Sequence, residues 1–545
     1  MKRKSRSCIP FFLLAFHAAA PGCGGGSGGN GDADADADAA ETAPDAVDSP
    51  DVEIADTSEI PPAADPRPRM FVPRIVPDDG SGEIWNCKQR SVIFWFGRVD
   101  VRNDHVQCRA GYGDALLMVH CAVFDREIYD EAADTSVRDW DALALYIDLD
   151  GDPGKTAVDD RSLLIEAQAH RQGTDQSAIY RGQAGAWVAS GLAVGTSPTE
   201  TPDLISLEKA YRGEERDQSR GWHINFYIPW AVLGYDGPPV AAGESLWNVA
   251  LAAYDRDSLD GSLRGDPQFW PGAGFDELDP SQWGTWEFLD GHFLGWEESG
   301  AAPGAGRPAY TIAYTPEPYA TGSETTVTIR AGLDGDVIEN ASVGASEMLC
   351  SGDDDYNFGT GENSWGGNLD RAFFHVQDQE DYADWPCFAK IYLKFPLAKL
   401  PERKVVVSAT LRMHHSMPTS GGDQGYRSLI QAFHVGNVLR DGVTPWTAAN
   451  ITWNEAPLAI ENLSGFWGDR TGMSETGWDN LPEWTWDVSR AVARAAGDDA
   501  VSFALYSADS EYHTGKMFVQ SSDFPDWGDP GQRPTLEITF ADPSP

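Results

Sequence analysis

Residues 140–152 read WDALALYIDLDGD, a strict alternation that runs into a cluster of carboxylates. Leu143, Leu145, Ile147 and Leu149 fall on one side of an extended chain, and Ala142, Ala144, Tyr146 and Asp148 on the other. A period of two belongs to a strand rather than a helix, and it predicts a sheet with one face turned to a core. Asp148, Asp150, Asp152 and Asp159 stand at positions 1, 3, 5 and 12 of the loop that follows. Alternating oxygen donors suit a hard cation, so a structural calcium is expected at this strand's end. The loop is no EF-hand, because Pro153 stands where that motif needs glycine. The competing reading is a solvated turn whose aspartates satisfy their own backbone. Asp255, Asp257 and Asp260 form a second, weaker cluster of the same kind.

Strand signals recur on both sides of this segment. Leu117, Val119, Cys121 and Val123 alternate, as do Ile224, Phe226 and Ile228, then Trp247, Val249 and Leu251, with Gly, Asp and Pro between the runs. Short strands with turn signals and no long amphipathic helix predict an all-β chain. A length of 545 residues exceeds what one core supports. Two β-sandwiches are therefore expected, at 70–290 and 323–541, with a linker at 291–322. In the second, strands are predicted at 325–329, 391–395, 405–413, 501–506 and 536–540, in a jelly-roll-like arrangement. One short helix is predicted at 487–496, started by Asp487 and ended by Gly497.

The N-terminus reads as an export signal. Lys2, Arg3, Lys4 and Arg6 precede a short apolar run, and Gly22-Cys23 follows. This resembles the lipobox of bacterial lipoproteins, which implies lipidation of Cys23, a signal peptide at 1–23 and an outer-membrane or cell-surface location. Ordinary cleavage near Ala20 is the alternative. Residues 24–69 are rich in Gly, Asp, Ala and Pro and too poor in apolar residues to fold, which predicts a disordered acidic tether. The formal net charge of -45 repels phosphate backbones and disfavours nucleic acid as a partner. Export permits disulfides. Cys350 and Cys387, the two cysteines of the C-terminal half, are the expected pair, and a cross-strand bridge between Cys108 and Cys121 depends on register.

Five segments of the first half occur in the order seen in family 9 carbohydrate-binding modules: GEIWN at 82–86, YGDALLMVHCAVFD at 112–125, the 140–152 strand, GWHINFYIPWAVLG at 221–234 and DPSQWGTWEF at 279–288. The resemblance implies a β-sandwich that binds polysaccharide chain ends and carries structural calcium. Members of that family clamp sugar between two tryptophans. Here Trp140 abuts Asp141 two positions later than the pattern, and Glu277 occupies the second tryptophan's place. Trp140, Trp270 and Phe269 are the expected sugar contacts, because an aromatic ring covers the apolar face of a pyranose. Packing at a sheet edge or in a loop is the alternative for each.

The second half is similar to DNRLRE-type domains, related to family 96 carbohydrate-binding modules, through DVIENASVG, YNFG, KIYLKFPLAKLP, SATLRM, ITWNEAP, WDVSRAV and RPTLEITF. Such domains bind polysaccharide or serve as structural modules. Trp446, Trp453, Trp467, Trp478 and Trp484 are expected in its core. His414 and His415 point to opposite sides of a strand, which argues against a shared metal. No nucleophile elbow, HExxH or phosphate loop is present in the sequence, and both resemblances point to non-catalytic modules. The expected function is therefore polysaccharide binding without catalysis. A structural or adhesive envelope protein with protein partners is the second hypothesis, and haem binding a minor third.

Overall fold

The computed structural model describes residues 65–544 apart from internal stretches, the longer of which are 76–89, 212–220, 296–306, 345–372, 379–387, 419–427, 469–479, 508–515 and 520–529. Cys23, Cys350, Cys387 and Trp478 lie outside the described residues, as do the signal peptide and most of the expected tether. The tether's last residues are part of the fold. Arg67 Nη1 donates to Asn248 Oδ1 at 2.7 Å, and the first strand opens at Arg69.

The protein is all-β, built from two sandwiches. One sheet of the first runs, in hydrogen-bonding order, Val92–Asp100, Asn103–Tyr112, Leu116–Phe124, Trp222–Pro229 and Ile205–Tyr211. The facing sheet runs Arg69–Arg74, Gly284–His292, Leu246–Tyr254, Ala142–Asp148, Ser162–Gln168 and Ser177–Gln183. In the second sandwich one sheet runs Arg307–Thr311, Ala459–Gly468, Ser428–Val435, Ala500–Ser507, Phe388–Pro396 and Glu339–Gly344. The other contains Ala320–Arg330, Thr535–Pro543, Val405–Pro418 and Glu483–Asp487. Every strand expected in the second half falls within one of these. The segment expected as a linker contributes the strand Arg307–Thr311, and Phe293 stacks on Tyr310 with ring centroids 3.6 Å apart.

Register follows the alternation. Leu143, Leu145, Ile147 and Leu149 enter the main core, while Ala142, Ala144 and Tyr146 enter a second cluster on the reverse face. Both faces are buried, unlike the one-sided strand expected, because an aromatic layer of Trp283 and Phe275 covers Tyr146 at 5.7 and 5.2 Å. Cys108 and Cys121 face each other directly across neighbouring strands and form a disulfide. The predicted helix is shorter, Ser489–Arg494. Its start is held by Asp487 Oδ1, which accepts from the Ser489 N–H at 2.9 Å, and the chain leaves through Gly497 at φ 107°. His414 and His415 separate as expected: His414 meets the Gln532 carbonyl at 3.0 Å, and His415 stacks on Trp484 at 4.6 Å.

The two sandwiches share one core. Trp95, from the first, meets the rings of Phe433 and Tyr506, from the second, edge-on at 5.1 and 5.6 Å. The Lys390 ammonium lies over Trp453, Tyr506 and Trp95 at 3.3, 4.2 and 4.7 Å, a buried cation held by ring faces. Polar bonds fix the joint: Tyr506 Oη donates to Gln107 Oε1 at 2.7 Å, Gln431 Nε2 to the Ser91 carbonyl at 2.8 Å, and Phe71 N–H to Asn462 Oδ1 at 2.8 Å.

Trp95→Ala should cost about 3–5 kcal/mol, read from chemical denaturation, and unfolding of the wild type should show one transition across both halves. Burial, with Arg494 nearby, depresses the His434 imidazole to about 3. The unfolded chain therefore binds a proton that the folded chain refuses. This histidine's contribution is complete above its ordinary value near 6.5 and is lost as pH falls from there toward 3. His434→Gln should flatten the stability profile in that window by at most about 1.4 kcal/mol per pH unit.

Candidate functional site

The reverse face of the first sandwich carries a layer of rings. Tyr146 and Trp283 are buried floor, and Trp187, Tyr180, Phe275 and Phe269 lie half-buried above and beside them. Trp187 runs nearly parallel to Trp283, with centroids 6.5 Å apart and 14° between planes, and Phe269 stacks on Phe275 at 4.7 Å. Charged groups are fixed among the rings. Arg138 pairs with Glu166 and, at 2.5 Å, with Glu277; Tyr146 Oη donates to Glu277 at 3.1 Å. Burial keeps the Glu166 carboxyl above its ordinary value, although Arg138 pulls it down.

Phe269 and Phe275 also line a cleft of about 520 Å³ between the two sandwiches, opposite Leu439, Arg440 and Leu458. Arg98 stands in the cleft wall and is tied to Glu455 at 3.0 Å. Phe269, Phe275, Gln268, Arg98 and Arg440 thus line the cleft where the two halves meet.

The three expected sugar contacts have different fates. Trp270 is wholly enclosed, 4.9 Å from Phe94, and packs so tightly that a Cβ at Gly284 would lie 2.5 Å from its ring. It has no face left for a ligand. Trp140 is 7 % exposed and is covered by the Arg256 guanidinium at 3.9 Å. Phe269 alone reaches the cleft. Its strand, Gln268–Trp270, pairs Trp270 with Leu251 of the main core and Phe269 with Ala252 of the reverse face, so one residue of alternation separates them. Trp187, Tyr180, Phe275 and Arg138 escaped sequence reading, since no local pattern marks a ring as half-exposed.

The acidic loop at the end of Ala142–Asp148 is arranged differently from the calcium site expected. The Lys155 ammonium donates to Asp148, Asp150 and Asp159 at 2.5, 2.7 and 2.7 Å and fills the centre that a metal would need. Asp152 is turned away, accepting from the Gly154 N–H at 2.7 Å. Oxygens of Asp148, Asp150 and Asp159 lie within 4.8 Å of one another, close enough to share a cation, and the Lys155 ammonium sits among them. Against the cost of burial, the three carboxylates hold the Lys155 ammonium well above its ordinary value, and they gain in turn: Asp159, despite some burial, is held low by Lys155. Burial still leaves Asp148 raised, because Lys155, Ser162 and Asn248 offset it only in part.

Asp255 belongs elsewhere than in the local cluster expected. It meets Asp104 and Asp125 in a buried group, while Asp260 stays in an exposed turn bonded to the Ser262 N–H at 2.9 Å. Burial first, and then the repulsion of neighbouring aspartates, pushes the carboxyls of Asp104, Asp125 and Asp141 well above the ordinary range.

Solved structures show partial likeness. A family 9 carbohydrate-binding module from Caldicellulosiruptor kristjanssonii in complex with cellotriose is 14% identical, with 40% of this chain and 93% of that chain covered and a TM-score of 0.26. A putative carbohydrate-binding protein from Bacteroides uniformis is 12% identical, with 41% and 99% covered and a TM-score of 0.29. No family model and no curated protein matches the chain. Likeness at this level decides nothing about a ligand.

Lys155→Met would leave Asp148 charged and buried without its partner. It should destabilise the protein by about 3–5 kcal/mol, and adding Asp148→Asn to it should recover part of the loss, both read from denaturant midpoints.

Proposed function

We propose that the protein binds polysaccharide without cleaving it, at the aromatic face and cleft built around Phe269, Phe275 and Trp187. The observation that carries this reading is the half-buried set of rings beside fixed charged groups. Sugar rings have apolar C–H faces and hydroxyl edges, so a ring platform flanked by Arg138, Glu166 and Glu277 supplies both kinds of contact. The order of family 9-like segments in the sequence supports the same reading. The second sandwich, with its DNRLRE-like text, supplies the opposite wall of the cleft through Leu439, Arg440 and Leu458.

In this proposal lipidation at Cys23 holds the exported chain at the outer membrane or cell surface. The tether sets the binding face away from the bilayer. One observation favours a structural or adhesive role with a protein partner instead: Glu277 lies where the family places a tryptophan, and its ion pair with Arg138 occupies part of the face.

Affinity electrophoresis of the full-length protein through gels of single polysaccharides tests the reading. Retardation by at least one glycan is expected, weakened about tenfold by Trp187→Ala or Phe275→Ala, a loss of roughly 1.4 kcal/mol. Unchanged mobility in every gel overturns it. A protein partner captured equally by wild type and both variants would establish the structural role.

A further inference from the structure

Both walls of the ring face hang from one segment of the acidic loop. Residues 155–159 belong to no strand or helix, yet their backbone bonds to two separate parts of the chain. On one side the Lys155 carbonyl accepts from the Ser281 N–H at 2.8 Å, and the Val158 N–H donates to the Leu278 carbonyl at 3.1 Å. Leu278 and Ser281 lie between Glu277 and Trp283, whose indole N–H donates to the Asp276 carbonyl at 2.9 Å. On the other side the Val158 carbonyl accepts from the Gly185 N–H at 3.0 Å.

Gly185 closes the two-residue turn, Ala184 and Gly185 at φ 51° and 80°, that joins Ser177–Gln183 to Ala186–Ala189. Trp187 stands on the second of these strands, directly opposite Gly182. Gly182 lies so near the loop that a Cβ there would come within 2.4 Å of the Asp159 carbonyl oxygen. The hairpin that presents Trp187 therefore rests on the backbone of Val158 and Asp159. The Val158 side chain is buried in the same cluster as Tyr146 and Trp283.

With no regular structure of its own, the segment depends on a side-chain anchor. Lys155 and Asp159 are its two ends, and the Lys155 ammonium joins them at 2.7 Å while also holding Asp148 and Asp150. Asp148 is in turn fixed to the sheet, accepting from Ser162 at 2.9 Å and from Asn248 at 3.2 Å. We infer that Lys155 is a positioning residue for the ring face. Its ion cluster holds the 155–159 segment to the sheet and thereby sets the spacing of Trp187 from Trp283 and Glu277. The consequence for affinity rests on the sugar-binding reading of that face, because a binding platform is only as precise as the groups that support it.

The near-parallel pair of Trp187 and Trp283 provides a readout that needs no ligand, since closely stacked indoles couple their transitions and give a paired circular-dichroism band. The band is measured in the full-length protein, with Trp187→Phe defining the share that Trp187 contributes. Lys155→Met and Gly182→Ala, at a temperature where each is folded, should lose that share. Both should also weaken retardation by whichever polysaccharide retards the wild type, on the order of tenfold, as when other supports of a binding group are removed. Lys155→Arg, which keeps a cation among the carboxylates, should restore both readouts. Leu411→Ala opens a cavity in the core of the second sandwich, so it should lower stability and leave both unchanged. If Lys155→Met fails to fold, Asp159→Asn takes its place. Full strength of the band in the Lys155 variant, or in its substitute, overturns the proposal. So does equal loss in Leu411→Ala, failure of Lys155→Arg to restore the band, or loss of the band with retardation unchanged. A wild type retarded by no polysaccharide sinks the sugar-binding reading instead, and the band alone then decides whether Lys155 sets the spacing of the rings.

Discussion

The Lys390 ammonium, enclosed by Trp95, Trp453 and Tyr506, sits at the point on which the joint between the two sandwiches depends. A cation removed from water is costly unless its surroundings replace the lost hydration. Three ring faces supply part of that replacement, and they come from both halves of the chain. Separating the halves would expose Trp95 and break the cage at once. Shape and charge thus fix the same contact, and the neighbouring bonds of Gln107 to Tyr506 and Ser91 to Gln431 lock its register.

Acidic residues in this protein meet several fates. Those on the surface account for the net charge and leave the fold alone. Asp148, Asp150 and Asp159 are gathered around a lysine of their own loop. Asp104, Asp125 and Asp255 are gathered at strand ends, where burial and then neighbouring carboxylates raise the first two.

Sequence alternation made the fold legible, because a period of two is a direct consequence of strand geometry. The leucines of 143–149 and the strands of the second half lie where that period puts them. Cys108 and Cys121 needed register as well as alternation, and register is a property of the pair of strands. The site was less legible. Lys155 stands seven residues after Asp148 and could have been counted as a cation for the loop, so that signal was present and unread. Phe269 and Trp270 could be separated only by knowing which face of Leu246–Tyr254 each opposed. Asp104, Asp125 and Asp255 share no spacing that a linear reading could detect. Their nearness is made by strand pairing alone.

The cleft is walled on one side by Phe269 and Phe275 and on the other by Leu439 and Leu458. Neither half of the chain owns it. Occupancy of the cleft and adhesion of the halves are consequently a single linked equilibrium: whatever fills the space lends its affinity to the joint, and whatever loosens the joint dilutes that affinity. A substitution buried beneath Trp95 could therefore masquerade as a binding defect. Conversely, a good ligand would make the whole molecule harder to unfold, including strands it never touches.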